Sequence, residues 1–153
     1  MAAQNHAGNI IVNLASLPDF LRKPILKKRM DEFFTMSVPD RQEVINNALA
    51  AGPTIPFPNF AKLFKTWLEI LASLEDDKRE VMFSTYIGEI LKNPQKLILF
   101  NLDGILGIFL ELEQPKKEVI SNTIRRIFSK LTDQERSSLE WIIPQNAKAH
   151  LGI

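Results

Sequence analysis

The chain contains no cysteine. That excludes a disulfide framework, a thiolate metal site and a cysteine nucleophile. Histidine is nearly as scarce, with His6 and His150 alone. Neither lies in a spacing that would set two metal ligands on one helix face, and both read as solvated side chains. The six glycines form no phosphate-cradling loop, and no serine occupies a Gly-x-Ser-x-Gly elbow. Neighbouring carboxylates, Glu75 with Asp76 and Glu111 with Glu113, fall at turns. A general acid needs burial to raise its pKa, and nothing in these segments suggests it. The expectation is a non-enzymatic protein without metal or cofactor.

A strong charge of either sign is also missing. Lys plus Arg number 19 against 18 Asp plus Glu, so the chain lacks the basic excess usual in a dedicated nucleic-acid binder. No apolar run reaches the roughly 18 residues of a membrane span. The nearest, Leu97 to Leu112, is interrupted by Asn101, Asp103 and Glu111 and reads as core. The opening MAAQNHAGNIIVNLASL has no basic stretch leading into a long apolar one, so it does not read as a secretory signal. Together with the missing cysteines, these features predict a soluble, cytoplasmic protein with no membrane association.

What is present is helical periodicity. The 153 residues, 45% of them hydrophobic, suit one domain with its own core. Leu26, Met30, Phe33 and Phe34 mark one helix face. Pro39 opens the next helix, and Gly52 ends it. Three prolines within 53–58 separate it from the clearest stripe, Phe60, Leu63, Phe64, Trp67, Leu68, Leu71 and Leu74. Asp76 and Asp77 start a helix that Asn93-Pro94 stops. Asn101 caps an apolar helix from about Leu102 to Glu113, which reads as the most buried. Pro115 opens a helix carrying Ile120, Ile124, Ile127 and Leu131. Thr132 and Glu135 make a capping box for the last. No segment alternates with period two, so no sheet is expected.

The predicted fold is all-α, a single domain of about six to eight helices in stacked antiparallel hairpins, either a repeat array or an irregular bundle. Residues 1–8 form a flexible tail and 9–153 the domain. The hairpins span about 22–52, 58–92 and 101–131, and 132–147 caps them. Segments beginning at Phe34, Leu71 and Phe109 align on a shared Glu-Val, spaced 37 and 38 residues apart. That spacing is similar to HEAT-type hairpin arrays.

Residues 22–29 form one basic cluster, with Arg22, Lys23, Lys27, Lys28 and Arg29, and 116–130 a second, with Lys116, Lys117, Arg125, Arg126 and Lys130. On a shared surface they would meet phosphates or an acidic partner. Trp141 falls off its helix's apolar stripe and is the candidate exposed anchor. Gly88, Gly104 and Gly107 each weaken a helix by about 1 kcal/mol, which predicts close helix packing. The leading expectation is an adaptor binding a partner protein through a helical surface. Nucleic-acid binding through the basic clusters is the first alternative. A small-ligand carrier or enzyme with a pocket near Gly104 and Gly107 is the second. The apolar 102–112 helix also offers a self-association face.

Overall fold

A computed structural model describes residues 6–153. Ten α-helices occupy them: α1 His6–Ala15, α2 Asp19–Phe34, α3 Val38–Ala51, α4 Phe57–Ser73, α5 Asp76–Lys92, α6 Gln95–Ile98, α7 Leu102–Leu110, α8 Gln114–Ser129, α9 Asp133–Glu140 and α10 Gln145–Leu151. No strand occurs among the described residues. The chain is all-helical and forms one compact domain, with a single apolar core drawing on residues from Leu14 to Ala147.

Two elements exceed the count expected from periodicity. The single-turn α6 and the seven-residue α10 are too short to show an apolar stripe. Within the 1–8 expected as a tail, α1 begins at His6 and Gly8 is buried. Residues 1–5 lie outside the described ones, and so does the His6 side chain.

Eight of the ten helices pack in two rows, with α6 against α3 and α5 and α9 against α5. One runs α1, α3, α5, α8, α10, and the other runs α2, α4, α7. Within each row a helix lies against the next member, and α4 also touches α1 and α8 across the rows. Ile70, Leu71 and Ile120 are completely enclosed between the rows. Each such side chain stabilises the fold by about 1.5–3 kcal/mol. The helix expected to be most buried, α7, encloses only Leu106, Ile108 and Phe109. Leu110 is exposed because α7 lies at the edge of its row.

Seven of the ten helices begin at a fixed interval. Pro18, Ser37, Pro56, Glu75, Pro94, Glu113 and Thr132 each immediately precede a helix and stand 19 residues apart. The same interval separates Leu14, Phe33, Gly52, Leu71, Ile90, Phe109, Phe128 and Ala147, every one of them buried. Counted from these positions, Glu43 stands six residues on and Glu80 and Glu118 five. The capping positions place Glu43 with Val81 and Val119.

An arginine fastens successive helices. Arg22 donates from Nε to the Leu14 carbonyl at 3.0 Å, and its terminal nitrogens reach the Leu17 carbonyl and Asp19. Arg79 donates from Nε to the Leu71 carbonyl at 2.9 Å, to Asp76 at 2.6 Å and to the Leu74 carbonyl. Arg136 reaches the Phe128 carbonyl at 3.1 Å and the Leu131 carbonyl at 3.5 Å. These three arginines are separated by three of the 19-residue intervals. In each case the backbone acceptors are carbonyls in the last turn of the preceding helix or just past its end, and Leu14, Leu71 and Phe128 each accept a second bond from the backbone N–H three residues on. The donor is a cation, favoured at the negative end of the helix dipole. The guanidinium heads of Arg22 and Arg79 are also steadied by an aspartate in the first turn of their own helix.

Glycines serve different ends. A Cβ on Gly52 would lie 2.6 Å from the Phe100 ring, so Gly52 is needed for close approach. At Gly104 a Cβ would lie 2.4 Å from Phe57 and 2.6 Å from the Asn101 amide, as the packing expectation required. Gly88 and Gly107 contradict that expectation, since a Cβ at either meets nothing within 4 Å.

Replacing Arg79 with Met should strand buried acceptors and cost about 2–4 kcal/mol, read as a lower urea midpoint at unchanged slope. Asp76→Asn should cost less than about 1 kcal/mol, since that carboxylate is solvated. Gly88→Ala and Gly107→Ala should each gain about 0.5–1 kcal/mol. Gly104→Ala should lower the melting temperature, because the added carbon displaces the Asn101 cap.

Candidate functional site

Most cations of the two basic clusters are already occupied. Arg22 is buried and structural, so it leaves the surface set. Lys27 pairs with Asp31 at 3.6 Å and Arg29 with Glu32 at 3.0 Å. Lys23 and Lys28 are exposed and make no ion pair among the described residues. In the second cluster Lys116 meets Glu69 at 3.5 Å and Glu113 at 3.6 Å. Arg126 and Lys130 both grip Glu80, at 3.4 and 3.1 Å. Lys117 is half-buried. Arg125 is exposed, donating to the Leu151 carbonyl and to Asn122.

These pairs are visible in the acid groups. The hydrogen bond from Lys130, aided by Arg126, holds the Glu80 carboxyl below its ordinary value against the effect of burial. The hydrogen bond and charge of Arg22 do the same for Asp19. Burial pushes the Tyr86 phenol up.

Trp141 ends α9 and is 70% exposed. His150 is exposed. Among the described residues no group of three or more His, Asp or Glu is placed to hold a metal, and no helix is long and apolar enough to cross a membrane.

The site glycines do not line one pocket. The space beside Gly104 is filled by Phe57 and Asn101, and two surface grooves lie elsewhere. One, of about 430 Å³, sits where α8, α9 and α10 meet, and Arg125, Arg136, Glu140, Lys148 and Ile143 contribute to it. The other, of about 300 Å³, runs between α3 and α5 past Val38, Arg41, Ser84, Gly88, Glu89 and Lys92. Gly88 matters there because it leaves the groove open.

The second groove has a built polar wall that periodicity did not reveal. Glu89 is almost fully enclosed, accepting from Lys92 Nζ at 2.8 Å and from the Asn46 amide. Lys96 closes the network on the Asn46 oxygen at 2.8 Å. Arg41 stands beside it with Nε buried and unpartnered.

A second surface was also missed. Phe20 is 76% exposed, with Leu21 and Ile25 uncovered on the same helix. Residues 21 and 25 share a face of α2. The signal was in the sequence as apolar residues off the Leu26, Met30, Phe33 stripe.

Lys130→Met should destabilise the protein by less than about 1 kcal/mol at neutral pH. Because the folded Glu80 carboxyl titrates below its unfolded value, the pair's contribution is present above the ordinary carboxylate range. It is lost as pH falls through the folded value. The gap between wild type and variant should therefore close in acid, and also in about 1 M salt, as measured by urea midpoints. Comparison with protein-family models, curated proteins and solved structures found no match for this chain.

Proposed function

We propose that the chain is a non-enzymatic protein-interaction module built as a tandem array of 19-residue helical units in two rows. The equal spacing of helix caps, of buried positions and of the arginine fasteners supports the array. Arrays of this kind present extended rigid surfaces, and their terminal units carry atypical outer faces.

The uncovered end of α2 carries the functional reading. In the 19-residue register, Ile25 is equivalent to Val44, Leu63, Met82, Asn101, Ile120 and Leu139. Leu63, Met82, Ile120 and Leu139 are buried, Val44 is half-buried and Asn101 is exposed. Ile25 itself is 37% exposed, beside Leu21 at 39% and Phe20 at 76%. A core position without a covering helix, next to two more apolar side chains, suits a partner protein's surface. Trp141 supplies a second apolar anchor toward the other end.

The test is affinity capture with the wild type and a Phe20→Ser, Ile25→Ser double variant side by side. The wild type should retain a stoichiometric partner that the double variant loses at an equal melting temperature. If the variant retains every partner, this surface is not the interface.

A further inference from the structure

Four helix starts besides α2 carry a basic residue at the place of Arg22: Arg41, Arg79, Lys117 and Arg136. Where an aspartate stands three residues earlier, at Asp19, Asp76 and Asp133, the arginine reaches back to the preceding helix. Arg41 has Val38 at that position instead. It does not bind the carbonyls behind it. Its guanidinium has no hydrogen bond or ion pair among the described residues, although its Nε is buried. A guanidinium without an acceptor is costly at a partly buried site.

The surroundings of Arg41 are open. It lines the groove between α3 and α5, of about 300 Å³. Gly88 contributes no side chain, and a Cβ there would meet nothing within 4 Å. The nearby carboxylate, Glu89, already accepts from Lys92 and Asn46. Arg41 and Lys92 thus outnumber the one acid of the groove. Val38, 58% exposed, sets an apolar side chain at the rim.

We propose that this groove docks an acidic side chain from a segment of a partner protein, with Arg41 as the anchor and Val38 contacting an apolar neighbour of that acid. This rests on reading the chain as a protein-interaction module and gives that reading a second surface. A carboxylate can take two parallel hydrogen bonds from a guanidinium. The charge of the groove favours it over a neutral or basic group.

The probe is acetyl-glutamyl-leucinamide, titrated into isotope-labelled protein while the Arg41 side-chain Nε–H and Gly88 amide signals are followed by NMR. Both should shift and saturate at millimolar concentration, an affinity on the order of −4 kcal/mol. The neutral acetyl-glutaminyl-leucinamide should move them at least tenfold less. Arg41→Gln and Gly88→Gln should each abolish saturation. Both should fold, since Arg41 forms no bond to lose and Gly88 faces open space.

Absence of a shift at about 10 mM would overturn the proposal. So would equal response to the neutral peptide, or saturation by acetate at the same concentration, which would indicate a small-anion site. The titration is independent of the α2 surface. Loss of capture in the Phe20, Ile25 variant alongside a silent titration would remove the groove and leave the module. A saturating titration with unchanged capture would keep the groove and remove the α2 surface.

Discussion

Helices that end inside a protein leave carbonyls that water cannot reach, and a chain of short, tightly joined helices meets this problem at every turn. Here the remedy is a side chain from the following helix. Arg22 and Arg79 each lay a buried guanidinium across the end of the preceding helix and hold it there through an aspartate of their own first turn. One residue thereby satisfies two acceptors, neutralises a helix end and fixes the angle between consecutive helices. The rows of packed helices depend on that angle, because an apolar stripe meets its neighbour only if each helix leaves the turn in the same direction.

Several elements could be read from the residues. The stripe from Phe60 to Leu74 gave α4, the Asn101 cap gave the start of α7, and Thr132 with Glu135 gave a capping box that the structure contains. Local chemistry decides these elements, so local pattern finds them. Arg22 was misread because an arginine beside Lys23, Lys27 and Lys28 resembles a solvated cluster. The clue lay across the chain, in Leu14-Ala15-Ser16-Leu17 before Asp19 and Arg22, and Leu71-Ala72-Ser73-Leu74 before Asp76 and Arg79. The Glu-Val match obscured it by shifting one copy. Glycine roles were not legible. Whether a glycine faces Phe57, as Gly104 does, or open space, as Gly88 and Gly107 do, depends on partners distant in sequence.

The candidate surfaces appear where the regular pattern lapses. Ile25 is exposed, whereas Leu63, Met82, Ile120 and Leu139, at multiples of 19 residues from it, are buried. Arg41 has the fastening cation without its aspartate. Sites that break a local rule while the rest of the chain obeys it are where binding is expected to reside. The basic clusters behave oppositely, since Glu69 and Glu80 engage three of the cations along α8.

The constant interval between helix caps sets a limit on how this chain can change in length. One residue added within a helix turns everything after it by about 100°. The next arginine would then point away from the carbonyls it serves, and the apolar stripe would leave its row. A length change confined to a solvated turn shifts the following cap without this rotation.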